Sequence, residues 1–178
     1  MGDVEKIVKE SDGANLPIQD STRHRVAKLR YFGLYRIGYF PNPYYNSATT
    51  GSIVAMSALE GAYIGKYYSI AAGVEYDVWT NSLGQTLPVF LDMREYFMTG
   101  QFTPLVFLDC GYEFGWGSIV NTNLLLNFGV GLRTFVGRTT ALWLDVGYEL
   151  QPIWIQEFPT EITKAAQPGF SVRAGISF

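Results

Sequence analysis

The sequence predicts an all-β protein, an eight-stranded antiparallel up-and-down β-barrel that spans a membrane. Three observations favour this fold. Aromatic residues make up 16% of the 178 residues and glycines number 19, whereas charged residues make up only 16%, against about 25% in soluble domains. Apolar and polar residues alternate along several segments, as they do in strands with two different faces. Uncharged apolar stretches reach only about ten residues, which suits a membrane-spanning strand and not a helix.

Eight apolar segments follow one another after residue 28. The predicted strands are 29–40, 53–64, 68–79, 87–98, 103–115, 122–135, 139–150 and 168–178. Short turns containing glycine join the second to the third, the fourth to the fifth and the sixth to the seventh strand, and longer loops, 151–167 the longest, join the others. This alternation is the layout of outer-membrane barrels, and it predicts that both termini are periplasmic.

Residues 1–28 differ in composition from the rest, because they are rich in charge and poor in glycine. We interpret them as a periplasmic N-terminal tail, and residues 29–178 as the barrel domain. The first thirteen residues lack the apolar core of a secretory signal. We therefore expect an exported form to have lost its signal.

The two faces of each strand can be assigned from the charges. Leu142, Leu144 and Val146 alternate with Trp143 and Asp145, and the other strands also collect their glycines and charges on one face. A soluble barrel of the same topology would carry Lys, Glu and Thr on its outer surface. Glycines beside charges instead suit the cramped lumen of a narrow barrel, which leaves the apolar face for lipid. Segment 53–64 alternates poorly, and its small residues indicate a bulge or a protein contact.

The lumen should therefore hold a charge network. The expected lumenal arginines are Arg36, Arg94, Arg133 and Arg173. The expected lumenal carboxylates are Glu60, Glu75, Asp77, Asp92, Asp109, Glu113, Asp145 and Glu149. Buried charges must pair, or each costs several kcal/mol, and we expect Arg94 and Arg133 to have Asp or Glu neighbours.

Aromatic residues concentrate at the predicted strand ends, as the two interfaces of a bilayer require. One girdle contains Tyr31, Tyr67, Tyr68, Phe97, Phe102, Phe135 and Phe178, and the other contains Tyr39, Phe40, Tyr44, Tyr45, Trp79, Trp116 and Trp154.

Five segments of the chain are LPVFLDMREYF, TPLVFLDCGYEFGW, LLLNFGVGLRTF, ALWLDVGYEL and GISF. They resemble the porin-family or OmpA-like outer-membrane β-barrel domain of Gram-negative bacteria. The resemblance covers about residues 30–178. It implies an outer-membrane location and contact with lipid and lipopolysaccharide. It also implies that Phe178, in the position of the family's terminal aromatic residue, is read as a signal by the barrel-assembly machinery.

Catalytic chemistry finds little support in the sequence. The single histidine, His24, lies in the tail, so no strand offers a Ser-His or Asp-His pair, and no His or Cys cluster suggests a metal or other cofactor. A net charge of −3 without a basic cluster speaks against nucleic acid. We therefore expect a protein that is not an enzyme and binds no cofactor.

An eight-stranded lumen can be filled by side chains, so function is expected on the surface. We expect a structural or accessory subunit that binds other envelope proteins; the alternatives are a stand-alone adhesin or narrow porin, and a soluble ligand-binding barrel. Trp154 and Phe158 make the 151–167 loop unusually apolar. They are candidate partner contacts, or else part of a strand extension at the membrane interface.

Overall fold

The computed structural model describes residues 30–41, 52–80, 84–117, 123–158 and 161–178, and for 117, 123, 151–158 and 161–168 it describes the backbone alone. The strands are β1 Arg30–Phe40, β2 Ile53–Ile64, β3 Tyr68–Trp79, β4 Gly84–Tyr96, β5 Phe102–Gly117, β6 Asn123–Phe135, β7 Ala141–Phe158 and β8 Glu161–Ser177. No helix in these ranges is long and apolar enough to cross a membrane. The predicted tail, residues 1–28, lies outside the described residues.

The eight strands form one closed antiparallel barrel in sequence order, with β1 pairing β8. The predicted fold is confirmed. The stagger of the barrel is found by stepping from each residue to its paired residue on the next strand. Starting at Arg30, these residues are Tyr63, Ser69, Arg94, Phe107, Gly129, Gly147 and Ser171. Ser171 is one step past the Tyr39–Val172 pair, so the path returns to β1 at Phe40, ten residues beyond its start at Arg30. A ten-residue stagger over eight strands tilts them by about 40° from the axis.

The outer wall of the barrel is apolar, as the alternation predicts. Its exposed side chains include Ile37, Leu91, Val130, Leu144 and Val172. A wall of this kind suits hydrocarbon and not water.

The glycines on the other face keep space inside the lumen. A Cβ built on Gly73 would lie 2.6 Å from the ring of Phe90, closer than atoms can pack. Lumenal rings and lumenal glycines therefore fit one another.

Strand β2 accounts for the largest error in the predicted faces. Its inward residues Ile53, Ala55 and Leu59 are buried, whereas Glu60 is exposed on the outer wall. The lumenal placement of Glu60 was wrong. Because this stretch of lumen is itself apolar, the alternation that marked the other strands is missing from β2, although its bounds are as predicted and no bulge interrupts its pairing with β1 and β3.

Three of the predicted girdle residues also face inward. Phe135 follows the lumenal Arg133 by two positions, and its ring centre lies 4.7 Å from that guanidinium carbon. Phe40 and Trp79 are each 3% exposed, because they share the lumenal parity of Arg36 and Asp77. Tyr39 and Trp116 do lie on the outer surface. Tyr44 and Tyr45, and the side chain of Trp154, lie outside the described residues.

The predicted 151–167 loop is mostly strand. Strands β7 and β8 remain paired from Ala141–Ser177 to Phe158–Glu161, with an irregularity between Gln156 and Phe158. The pairing of β6 with β7 stops at Leu150, and that of β1 with β8 stops at Val172. The two strands thus continue as a hairpin beyond the wall. Each arm contains one proline, Pro152 or Pro168, and each arm is a sheet edge, where proline is tolerated.

Candidate functional site

The lumen holds the densest set of polar contacts in the described part of the chain. All four predicted arginines and seven of the eight predicted carboxylates are buried there. The seven are Glu75, Asp77, Asp92, Asp109, Glu113, Asp145 and Glu149.

Arg94 joins two carboxylates near the middle of the lumen. Its Nε lies 2.8 Å from Asp92 Oδ1, and its Nη2 lies 3.0 Å from Asp145 Oδ2. The guanidinium also lies over the indole of Trp143, 4.7 Å from the ring centre. A planar fork that meets two carboxylates and an aromatic face is the arrangement for which arginine is suited and lysine is not.

Arg36 extends this cluster across the barrel. Its Nε donates to Ser57 Oγ at 3.0 Å, and its Nη1 donates to Asp92 Oδ2 at 3.4 Å. Longer ion pairs reach Asp109 at 3.8 Å and Asp145 at 3.7 Å. The side chain therefore ties β1 to β4, β5 and β7 and crosses the lumen in doing so.

Arg173 forms the next level toward the long-loop end. Its Nη2 donates to Glu75 Oε1 at 2.8 Å and to Glu149 Oε2 at 3.1 Å, and its Nη1 donates to Asp109 Oδ2 at 3.3 Å. One guanidinium thus holds β3, β5 and β7 to β8. Together the three arginines fill the middle of the lumen with bonded side chains.

Carboxylates outnumber arginines toward the long-loop end. Asp77 and Glu113 are buried there beside the partners of Arg173, and Asp77 accepts a hydrogen bond from the Thr86 hydroxyl at 3.2 Å. No group of three His, Cys, Asp or Glu side chains in the described residues is arranged to hold a metal ion.

Arg133 differs from the other three arginines. It faces the lumen, as predicted, but aromatic rings surround it in place of the expected carboxylates. Its guanidinium carbon lies 4.3 Å from the ring centre of Tyr96 and 4.7 Å from that of Phe135, and Nη1 donates to the Tyr63 hydroxyl at 3.2 Å. Cation–π contacts of this kind are worth more where water is excluded.

An aromatic cluster that was not predicted from the sequence closes the short-turn end of the lumen. Four rings form a row there, and the centres of neighbouring rings are 4.8 to 6.2 Å apart. In order along the row they belong to Phe32, Tyr63, Tyr96 and Trp143. The signal was present, because Tyr96 follows Arg94 by two positions and Trp143 precedes Asp145 by two. Both share the charged face of their strands.

Phe178 closes the barrel next to β1. Its N–H donates to the Gly33 carbonyl at 3.0 Å, and its own carbonyl accepts from the Gly33 N–H at 3.3 Å. The ring is exposed on the outside, where an interfacial anchor would lie. Trp154 and Phe158, the candidate contact residues, belong to the β7 arm of the hairpin, and their side chains lie outside the described residues.

No protein-family model matches the chain, and no curated protein matches it in sequence. Solved structures do match. The crystal structure of Neisserial surface protein A (NspA) is 15% identical, with a TM-score of 0.59 over 83% of this chain and 95% of that one. The solid-state NMR structure of outer membrane protein AlkL in lipid bilayers is 12% identical, with a TM-score of 0.55 over 98% of this chain and 95% of that one. At such identities the likeness concerns the fold alone: this chain folds as these outer-membrane β-barrels do.

Proposed function

We propose that this protein is an integral outer-membrane barrel that serves as a structural or accessory subunit and binds other envelope proteins. The main support is the filled lumen. Arg36, Arg94 and Arg173 cross it and engage carboxylates on the facing strands. Such an interior favours action through the loops, the rims and the wall, where function concentrates on rigid scaffolds.

The β7–β8 hairpin is the surface that best suits a partner. Each arm runs eight or more residues past Leu150 or Val172, so the β7 arm extends about 26 Å of strand beyond the last pair with β6. No other described strand pairs with its outer edges, and the backbone groups of such an edge can be completed by another strand. In the proposed orientation the termini and short turns are periplasmic and the hairpin is extracellular.

Affinity purification from outer membranes in mild detergent tests the proposal. The wild type should bring stoichiometric partners, and the double variant Trp154→Ala with Phe158→Ala should lose them while remaining folded. The matched control is Phe114→Ala with Trp116→Ala, which truncates two exposed aromatics on β5 at the same end of the barrel. Deletion of residues 1–25 tests the tail in the same way.

The outcomes separate the candidates. A wild type that purifies as a lone monomer, or partners that survive in both the hairpin and the tail variants, would contradict the subunit role. A steady current through single barrels in planar bilayers would favour the narrow porin instead.

A further inference from the structure

A cavity of about 310 Å³ opens at the short-turn end of the barrel, below the aromatic cluster. Residues of all three short turns line it, including Lys66, Gly100 and Arg138. Among the described residues, four cations line this space, namely Arg30, Lys66, Arg133 and Arg138, and no described aspartate or glutamate does. Its charge is therefore opposite to that of the lumen above.

Arg133 forms the buried part of the lining. It is 6% exposed, and its Nε has no hydrogen-bond acceptor in the described part of the chain. A guanidinium carries five N–H donors, and Tyr63 accepts from one of them. None of the ion pairs among the described residues includes Arg133, whereas Arg36, Arg94 and Arg173 each have at least two carboxylates within 4.0 Å. Phe178 also lines the cavity, but none of these ion pairs involves its terminal carboxylate.

A buried cation without a counterion is unfavourable, because rings replace only part of its lost hydration. The lumen buries seven carboxylates and four arginines. None of the seven carboxylates lies within ion-pair distance of Arg133. An anion entering from the short-turn end would meet the unpaired face of this guanidinium together with three rim cations. The guanidinium fork matches a carboxylate in a bidentate manner.

The rest of the lining is aromatic. Phe32, Tyr63 and Phe135 are aromatic residues of the lining whose rings lie on the lumenal side, and the volume is at the small end of the range for ligand sites. A bare inorganic ion would leave this apolar surface unused. We propose that the cavity binds a small organic carboxylate with an apolar body of about one ring, its carboxylate on Arg133 and its body against the rings.

Calorimetric titration of the purified barrel with phenylacetate, in a non-ionic detergent, tests this site. Saturable binding is expected, and it should be at least ten-fold weaker in Arg133→Met, which keeps the apolar stem and removes the charge. The matched control is Gln85→Glu, which changes the net charge by the same amount at an exposed position near the opposite end of the barrel and should leave the affinity unchanged.

A second variant keeps the test valid if Arg133→Met fails to fold. Arg138 is an exposed rim residue, so Arg138→Gln should fold normally and bind phenylacetate several-fold more weakly. The neutral analogue 2-phenylethanol should bind neither variant nor wild type at comparable concentration.

Three results would overturn the assignment: no saturable binding of phenylacetate, binding that Arg133→Met and Arg138→Gln leave unchanged, or equal affinity for inorganic phosphate. The carboxylate site does not depend on the proposed subunit role. A negative result in the phenylacetate titration therefore leaves the subunit role unaffected, and a failure to find partners leaves the carboxylate site unaffected.

Discussion

Arg173 and Glu75 lie 98 residues apart in the sequence, and their side chains meet at 2.8 Å inside the barrel. The contact joins β8 to β3 across the lumen, not along a shared sheet edge. Pairs of this kind cannot form until the barrel has closed, since neither strand is hydrogen-bonded to the other. The contacts that cross the lumen thus depend on the closed barrel and stabilise it, whereas the Arg94–Asp92 pair lies within β4.

Arg94→Leu should destabilise the barrel strongly. The substitution leaves Asp92 and Asp145 buried without their main cation, and removal of one partner of a buried pair typically costs about 3–5 kcal/mol. Urea unfolding in lipid vesicles measures the loss. Arg138→Leu on the exposed rim is the control and should move the midpoint little; an unchanged midpoint for Arg94→Leu would argue against a stabilising network.

Leu144→Arg should also destabilise the barrel, because it adds a charge to the apolar outer wall. Leu144 is exposed on the outer wall, so the new charge would enter hydrocarbon at a cost of roughly 2–4 kcal/mol near mid-bilayer. Val136→Arg places the same side chain in a short turn and should cost about 0–1 kcal/mol. Equal effects in vesicle-embedded protein would mean that lipid does not cover this part of the wall.

Glu60→Leu should stabilise the barrel, whereas Glu75→Leu should weaken it. Glu60 is exposed on the outer wall, with Gly33 and Ala72 directly beside it, and replacing a charge there with an apolar group should gain about 1 kcal/mol in lipid. Glu75 is buried on Arg173. The sign of the two changes in urea midpoint is the measurement, and a loss of stability in Glu60→Leu would reveal a polar partner on the wall.

Gly73→Ala tests the tight packing of the lumen. The added methyl would meet the Phe90 ring at 2.6 Å, and overpacking of this sort costs typically about 1–3 kcal/mol. Gly100→Ala, in a short turn where the nearest atom is 3.8 Å away, is the matched control. Thermal unfolding, followed by the gel shift of the folded barrel, should separate the two variants; matching transitions would show that Phe90 moves aside freely.

The sequence by itself determined the strands and nearly all of their faces. Period-two alternation is a local property, because neighbouring side chains must point to opposite sides of a sheet. Asp145 and Leu144 could be assigned to lumen and lipid before any partner strand was known. The same logic failed at Glu60, where β2 lines an apolar stretch of lumen and its two faces look alike in composition.

The tertiary structure alone decided which charges meet. All four arginines looked equivalent in the sequence, yet the ten-residue stagger carries Arg36, Arg94 and Arg173 to the level of the carboxylates and leaves Arg133 among aromatic rings. The hairpin beyond Leu150 was likewise undetermined, since Pro152 and Pro168 fit a loop or a sheet edge equally well. Alternation fixes the side of the wall on which a residue lies, whereas its height in the lumen depends on the register of all eight strands at once, and only barrel closure sets that.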